Sequence, residues 1–574
     1  MSEVKAPDIS TTTSLRTRLG SHRWPIIVFF VVAGFIVFSV VAPSVGIFGN
    51  SIYDSGSGFT LRWYQETLSS PGVMSASINT AIVVIGATTI AVVSGVVLAW
   101  LVSRTDIPFA RVLTIVPVMP LFFPPVVGAV AWVLLLAPEV GLINEFLRTV
   151  TGGAVGPVNI YNVWGVTWVV GIYITPYVYL MIANAFQQYD GAYEEAARTA
   201  GVPTLTVLTR ITVPLLRPAI MAGAMLAFIT ALAQFSIPAI IGKTGNVDVY
   251  TTLIYDMLRS YPRQLDSAAV LSSLMVAVTM GVLWYQRRLL RRSSRFVTMS
   301  GKGLRRTRLS LGPWRWPLFV GIALYVLITV ILPAFALLNV SLRRHWSSTL
   351  SLEGLTLDNF AWVTDGYNLA TESMLNSGRL SVIGATVGML LSVLIAYTVV
   401  RSRLRGRGAL DYLAMFPSAI PATVLGAGLL MIYLGPPIAL YGSNILLLIA
   451  YVAHHLPQGT RTATAAFHQV SPEMDEASYV CGASWLTTFR RIAIPLIGPI
   501  VAGGWLFLFV LMSRELSASV LVASPSTPVV SVVILDLWSN GSVPQLAAVS
   551  MIVLVLSAIL TLVVQRVGNH GGAR

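Results

Sequence analysis

Long apolar runs separated by short polar or basic segments follow one another along this chain. The first run, from Trp24 to Tyr53, contains no charged residue. About 20 apolar residues in a helix cross the roughly 30 Å hydrocarbon core of a bilayer, so each run predicts a membrane-spanning helix. Twelve spans are predicted, at 26–46, 79–103, 112–136, 160–186, 218–241, 265–286, 316–339, 378–400, 411–434, 443–467, 498–522 and 544–565.

The composition agrees with an all-α membrane protein, because 55% of the 574 residues are hydrophobic and only 10% are charged. The first run is long for a signal peptide and no small-residue cleavage site clearly follows it, so we expect an uncleaved first helix. The lone Cys481 excludes an internal disulfide and a multi-cysteine metal site.

The net charge of +14 lies in clusters that border the apolar runs. Basic residues beside a span fix its orientation by staying in the cytoplasm, and they can contact anionic lipid. This placement favours a topological role and a membrane lipid contact over nucleic acid binding. The two clusters are Arg287, Arg288, Arg291, Arg292, Arg295, Lys302, Arg305, Arg306 and Arg308, and Arg401, Arg403, Arg405 and Arg407.

The second half of the chain repeats the first. A Glu-Ala-Ala or Glu-Ala-Ser segment, a glycine and a proline occur twice at identical spacing, 281 residues apart. The copies are Glu195, Ala196, Ala197, Gly201 and Pro214, and Glu476, Ala477, Ser478, Gly482 and Pro495. Prolines in the third spans repeat at an offset of 297, so about 16 extra residues lie near 141–159.

Six spans in each half, both starting on the same side, predict about twelve transmembrane helices as two parallel six-helix repeats. The halves are 1–286 and 316–574, joined by a basic cytoplasmic linker at 287–315. Alternating the spans from a cytoplasmic N-terminus places both basic clusters, both copies of the motif and the C-terminus in the cytoplasm.

Each copy of the motif lies on a loop between two spans, at 187–217 and at 468–497. A helix-forming segment, a breaking glycine and a closing proline predict two short helices hinged at a turn. Helix propensity alone explains a single copy, but two copies at one spacing favour a functional loop. The pattern resembles the coupling loop of binding-protein-dependent ABC importer permeases of the type I architecture.

This resemblance implies that the helix before each glycine docks in a groove on a separate cytoplasmic ATPase. The alanines permit close docking, the two glutamates offer a charge to a polar partner, and the prolines mark the return into the membrane. Two copies of an ABC ATPase subunit and an extracytoplasmic solute-binding protein are the expected partners, with no cofactor. Ser478 departs from the expected alanine without changing this interpretation.

The chain is not expected to be an enzyme. Gly242-Lys243-Thr244 resembles the end of a phosphate-binding loop, but the pattern needs a glycine where Ile237 stands. This segment also falls on the outer side of the fifth predicted span. ATP hydrolysis is therefore expected to belong to the separate ATPase.

Charged residues inside the predicted spans are scarce, which makes Arg514 and Glu515 in the eleventh span candidates for the translocation pathway. The repeat aligns Glu515 with Gln234 in the fifth span, so both positions are polar. The alternative is a place at the outer membrane surface or an interhelical pair. About 19 residues separate the two charges from Pro495, and at 1.5 Å per residue that is nearly a full crossing.

His454 and His455 in the tenth predicted span raise the question of a metal ligand. Adjacent residues do not share a helix face, so a pore-lining role or a buried hydrogen bond is the preferred interpretation. No metal site is predicted.

The fused twelve-span arrangement and the segments after Gln234 and Glu515 resemble the ferric-iron importer permeases most. This resemblance implies ferric iron as the solute, delivered by a binding protein, in the bacterial plasma (inner) membrane. Thiamine, aminoethylphosphonate, polyamine and sulfate importers carry the same loop and are the alternatives. A secondary transporter also has two halves but does not explain the paired loops. A membrane enzyme would need a catalytic constellation that the sequence lacks.

Overall fold

The computed structural model describes residues 24–54, 56, 58–188, 192–293, 309–347, 353–365, 369–402 and 404–571. Within them the chain is almost entirely helical, with one hairpin in which Tyr53–Asp54 pairs with Gly58–Phe59. Nine helices of the described part are long and apolar enough to cross a membrane, or eleven if two sharply bent pairs are each one span. The prediction of an all-α membrane protein in two repeats is confirmed.

These eleven segments and the 25-residue helix Asn444–His468, which is not among them, are numbered α1 to α12 in chain order. The first half has α1 (Trp24–Ile52), α2 (Pro71–Arg104), α3 (Val116–Phe122 with Pro125–Leu136), α4 (Val163–Gln188), α5 (Leu208–Leu232) and α6 (Leu265–Ser293). The second half has α7 (Gly312–Ser341), α8 (Leu369–Arg401), α9 (Arg407–Ala419 with Ala422–Tyr433), α10 (Asn444–His468), α11 (Trp485–Ser513) and α12 (Val543–Gly571).

Shorter helices fill the connections. They are Arg62–Ser69, Ala110–Leu113, Leu142–Thr151, Ala192–Thr199, Thr204–Val207, Pro238–Gly242, Tyr250–Arg259, Asp358–Thr364, Glu473–Val480, Ser519–Val522 and Val530–Ser539. Leu142–Thr151 occupies the predicted insertion, where the buried Asn144 side chain donates to the carbonyls of Ala137 and Val158, both at 2.9 Å.

The predicted linker is described only at its ends. Helix α6 continues past residue 286 to Ser293, and residues 294–308, with much of the first basic cluster, lie outside the described residues. Leu309 then forms a parallel bridge with Thr105, just after α2.

The third and ninth predicted spans are not straight helices. Their two parts meet at 98° in α3 and at 97° in α9. Pro124 and Pro421 stand at the two bends, and each has extended ψ, as does the residue before it. A proline disfavours the helical conformation of the preceding residue and removes a backbone donor, which explains both breaks. The straight spans predicted at 112–136 and 411–434 are therefore corrected.

The fifth and eleventh predicted spans also end early. Helix α5 stops at Leu232 and α11 at Ser513, so the predicted ends at 241 and 522 are wrong. Hydropathy continues across the break because the following residues are apolar too. Gln234 and Glu515 are consequently placed just beyond a helix end and not inside a helix.

Four prolines inside long helices each follow a π-helical turn. The turns Val37–Val41, Leu208–Thr212, Leu327–Ile331 and Phe489–Ala493 each end two residues before a proline: Pro43, Pro214, Pro333 and Pro495. A proline cannot donate to the carbonyl four residues earlier and its ring clashes there, and one wider turn relieves both problems. The turns occupy equivalent places in the two halves.

The first helix of each half packs against the other half. Helix α1 contacts α8 and α9 as well as its own α6, and α7 contacts α3 as well as its own α12. The Tyr433 hydroxyl on α9 donates to the Phe38 carbonyl on α1 at 2.6 Å. The inner arms of the two bent helices, Pro125–Leu136 and Ala422–Tyr433, are almost wholly buried. This exchange joins the two repeats into one bundle.

Candidate functional site

Both predicted coupling loops have the same backbone. The short helices Ala192–Thr199 and Glu473–Val480 are followed by glycines with positive φ, +79° at Gly201 and +82° at Gly482. In each loop the amides on either side of the glycine bond back to helix carbonyls at 3.0 to 3.1 Å. Only glycine takes this left-handed conformation without strain, so the structure has the hinge that the sequence predicted.

The exposure of the motif residues is also the same in both loops. The glutamate and the following alanine are exposed, and the third residue is half-buried. The exposed members are Glu195 and Ala196, and Glu476 and Ala477; the half-buried ones are Ala197 and Ser478. Each short helix therefore presents its Glu-Ala edge away from the bundle.

The acid that precedes each glutamate was not predicted from the sequence. Glu194 and Asp475, also 281 residues apart, are only 7% and 6% exposed. The hydroxyl of Thr212, at the start of α5, donates to the Glu194 carboxylate at 2.7 Å. The recurrence of an acid at this position in both copies was the available signal. These two acids face the bundle while the neighbouring glutamates face outward.

Asp475 is held by an arginine of the membrane bundle. The Nε atom of Arg401, at the end of α8, lies 3.3 Å from the Asp475 carboxylate, and both side chains are less than one-tenth exposed. Arg401 also donates to the carbonyls of Phe467 and Val470 at 3.3 and 2.5 Å. Burial raises the pKa of the Asp475 carboxyl above its usual value, and the Arg401 charge opposes part of this. The second coupling helix is thereby tied to α8 and α10.

The first half has an equivalent arginine in a different setting. Arg104 ends α2, is 5% exposed, and stacks over the Phe186 ring on α4 with the guanidinium 5.6 Å from the ring centroid. Phe186 is the repeat partner of Phe467. An arginine at the end of the second helix therefore packs against the end of the fourth helix in both halves.

The departure at Ser478 has a structural consequence. Its hydroxyl lies 2.9 Å from that of Thr488, on the first turn of α11. The repeat counterparts of this pair are Ala197 and Val207, which have no hydroxyl. The two loops therefore attach to the following helix through different residues.

Pro214 and Pro495 do not start the following helices. Helix α11 begins at Trp485, and in the first half a helical turn at Thr204–Val207 leads directly into α5. Both prolines are exposed and lie after a π-helical turn in a continuous helix.

The three candidate pathway residues lie at the broken ends of α5 and α11. Gln234 is half-buried, and its backbone carbonyl accepts from Thr251 at 2.8 Å. Arg514 reaches the first half, donating to the Leu121 carbonyl at the bend of α3 at 2.7 Å. Glu515 turns inward, with a side chain only 12% exposed. The neighbouring residues therefore shield most of the Glu515 side chain.

Glu515 meets both histidines of α10. One ligand atom each from His454, His455 and Glu515 all lie within 4.8 Å of one another. The distance from His455 Nε2 to the Glu515 carboxylate is 3.7 Å, which is longer than a hydrogen bond. Adjacent residues do not share a helix face, but the two rings converge at their tips. The two ring centroids are 4.8 Å apart.

A cavity of about 520 Å³ lies between the halves. Residues after α5 line one side and the short helix Val530–Ser539 lines the other: Phe235, Ala239, Lys243, Thr244, Thr252, Tyr255, Asp256, Leu535, Asp536, Trp538 and Ser539. Lys243 is paired with Asp256 and, at 3.1 Å, with Asp248. The lysine of the apparent phosphate-loop fragment therefore serves in an ion-pair cluster at this cavity.

Known proteins match this chain over most of its length. The family model described as "Binding-protein-dependent transport system inner membrane component" matches twice, at residues 90–295 and 388–570. The ferric transport system permease protein of Actinobacillus pleuropneumoniae is 27% identical over 544 residues, covering 92% of this chain and 76% of the relative. A probable ABC transporter permease protein of Sinorhizobium fredii is 27% identical, covering 93% and 94%.

Further relatives cover one half. A spermidine/putrescine transport system permease protein of Haemophilus influenzae is 28% identical, covering 38% of this chain and 86% of the relative. A solved bacterial ABC transporter that imports alginate matches 50% of this chain and 97% of its own at 17% identity, and its TM-score of 0.40 is too low to carry an argument. Because the family model matches both halves and most of the chain, this protein belongs to the inner membrane components of binding-protein-dependent transport systems and is a transport permease of the ABC importer type.

Proposed function

We propose that this chain alone forms the whole membrane-spanning unit of an ATP-driven ferric-iron importer. Two cytoplasmic ATPase subunits dock on its two coupling loops, and an extracytoplasmic binding protein delivers the solute. The observation that carries the proposal is the pair of coupling loops, which share spacing, positive-φ glycine, backbone hydrogen bonds and exposure pattern.

The geometry of each loop suits the transmission of force. A short helix with an exposed Glu-Ala edge is a compact surface for a groove, and a glycine hinge sets its angle. Its buried acid ties it back to the bundle, directly to α8 in the second half. Movement of a docked ATPase therefore passes to the membrane helices through side chains that have little freedom of their own.

Docking is tested by placing a photo-crosslinking residue at Ala196 or at Ala477. We expect adducts with a polypeptide that carries a phosphate-binding loop, at both positions. The same residue at Phe59 or Leu357, which are 77% and 68% exposed outside the coupling loops, gives no such adduct. Absence of ATPase adducts at both alanines contradicts the coupling assignment.

The assignment of ferric iron is supported by the ferric transport permeases that align with 92% and 86% of this chain. The polyamine relative aligns with one half only. The test is ATP-dependent uptake by the complete transporter in proteoliposomes, with ferric iron, thiamine, aminoethylphosphonate, spermidine and sulfate each supplied to the binding protein. If one of the other four solutes accumulates and ferric iron does not, the iron assignment is wrong and the importer class still stands.

The orientation also belongs to the proposal, with both termini and both coupling loops in the cytoplasm. In a Cys481→Ala background, single cysteines at Phe59 and Leu357 should react with an impermeant thiol reagent in intact cells. Cysteines at Ser310 and Leu404 should react only after the membrane is opened. If Ser310→Cys is labelled in intact cells, the orientation is the opposite of the one proposed, and the coupling loops lie on the side of the membrane without ATP.

A further inference from the structure

We propose that His454, His455 and Glu515 form a binding site for a first-row transition-metal cation. The transported ion occupies this site as it crosses the helix bundle. The inference rests on the proposed function for the identity of the cargo as iron. The existence of the site rests on the geometry alone.

The three side chains come together from two separate segments. The histidines stand in the middle of α10, and Glu515 follows the end of α11. Metal–nitrogen and metal–oxygen bonds are about 2.0 to 2.2 Å long, so two ligands of one ion are at most about 4.4 Å apart. The observed span of 4.8 Å closes to this range with a small side-chain rotation.

The histidine nitrogens are otherwise unsatisfied. His455 is 5% exposed, and among the described residues neither of its ring nitrogens has a hydrogen-bond partner. Nδ1 of His454 is likewise buried and has no hydrogen-bond partner among the described residues. Leaving a buried polar atom without a partner is costly, and a cation bound by one nitrogen of each ring removes that cost at the nitrogen that binds it. The buried hydrogen bond expected from the sequence does not account for these atoms.

Hydrogen bonds from the backbone and from serine side chains fix the position of Glu515. One oxygen of Glu515 accepts from the Ala518 amide at 3.1 Å, while the other faces His455. The backbone carbonyl of Glu515 accepts from Ser519 and Ser531 at 2.8 and 2.6 Å. Fixed donors of this kind orient a ligand and raise its affinity for metal. Arg514 points away, to the first half, and leaves the negative charge free for a cation.

The site lies close to the cavity between the halves. Ser531, which bonds to Glu515, is one helical turn from Leu535 on the same short helix, and Leu535 lines the cavity. At 1.5 Å per residue this separation is about 6 Å along the helix. The cavity itself is lined by the carboxylates of Asp256, which is paired with Lys243, and of Asp536.

The donor set points to the class of ligand. Two imidazoles and one carboxylate favour transition metals over Mg²⁺, Ca²⁺ and alkali ions, which prefer oxygen ligands. Three protein ligands leave coordination positions for water, and this keeps binding weak enough for release, as transit demands. The first half has Tyr173, Ile174 and Gln234 at the equivalent positions, so one site per chain is expected.

The test uses the full-length chain in nanodiscs, without a histidine tag, titrated with Co²⁺ and followed by visible absorption. We expect one bound Co²⁺ per chain with a ligand-field band of nitrogen and oxygen donors. His455→Ala and Glu515→Gln should each raise the dissociation constant about tenfold or more. The matched first-half variants Ile174→Ala and Gln234→Ala should bind Co²⁺ as the wild type does.

Folding is monitored by the thermal midpoint without metal. The conservative His455→Gln keeps a polar, uncharged group, and Co²⁺ should raise the thermal midpoint of the wild type but not that of this variant. Failure of Co²⁺ to bind the wild type, or equal binding by all the variants, overturns the site even if the transporter imports iron. Binding at the site together with uptake of a non-metal solute overturns the iron assignment and keeps the site.

Discussion

At the coupling loops the two halves of this permease are nearly interchangeable, whereas their fourth helices have different chemistry. Both loops keep the same glycine conformation and exposure pattern across 281 residues. On α4 and α10, however, Tyr173 and Ile174 in one half correspond to His454 and His455 in the other. In the proposed importer, two copies of one ATPase would need two equal docking sites, while a single solute would cross one pore between unlike halves.

The attachment of the coupling helices to the bundle is partly the same and partly different in the two halves. Both halves bury an acid at the same position, but Asp475 pairs with Arg401 of α8 while Glu194 accepts from Thr212 at the start of α5. The position of the helix is thus kept and the means of holding it has changed.

The strongest test reverses the charge of both exposed glutamates. Glu195→Lys combined with Glu476→Lys should reduce ATP-dependent uptake at least about 100-fold, a loss of roughly 2.7 kcal/mol in barrier terms. Each single variant should show the same partial loss as the other, because the loops are equivalent. The charge-conserving pair Glu195→Asp and Glu476→Asp is the control. Normal uptake by the double lysine variant contradicts the docking role.

Removing the buried acid should lower the stability of the chain more in the second half than in the first. Asp475→Asn leaves Arg401 buried without a counter-charge, and we expect a loss of about 3 kcal/mol in stability. Glu194→Gln keeps an oxygen for Thr212 and should lose only about 1 kcal/mol. Thermal unfolding of the purified chain measures both. Asp358→Asn, which breaks an exposed ion pair with Arg344, should change little and serves as the control.

The hinge glycines should respond equally. A Cβ added at Gly201 or Gly482 meets no atom within 4 Å, so only the positive φ opposes alanine, at about 1 kcal/mol in each loop. Gly281→Ala is the control of opposite sign, since this residue lies inside α6 with equally open space and alanine favours a helix. Unequal losses in thermal unfolding at the two hinges contradict their equivalence.

Ser478→Ala gives the smallest effect. It removes the hydroxyl contact with Thr488 and makes the second loop match Ala197 of the first, at a cost of about 0.5 to 1 kcal/mol in stability. Uptake should stay at the wild-type rate, because the exposed docking edge is unchanged. The reverse change, Ala197→Ser, should bring no stabilisation since Val207 offers no partner. A large loss of uptake in Ser478→Ala shows that this contact transmits force.

Local patterns were sufficient for the helices and the hinges. A long apolar run leaves its backbone polar groups no partner in lipid except each other, so the helix follows from composition. Glycine and proline restrict their own backbone and that of their neighbours. The same reasoning failed at Pro124 and Pro421, where hydropathy averaged over the run concealed a bend near a right angle. It also missed the ends of α5 and α11, because apolar residues continue beyond them.

The sequence by itself therefore determined the helical class, the two repeats and the spacing of the coupling loops. Only the tertiary structure decided that Asp475 meets Arg401, that Arg514 crosses to Leu121, and that Glu515 meets both histidines. Such meetings depend on how helices distant in sequence are rotated and displaced against one another. Residue types and spacing do not contain that information, since the packing of many side chains at once sets it.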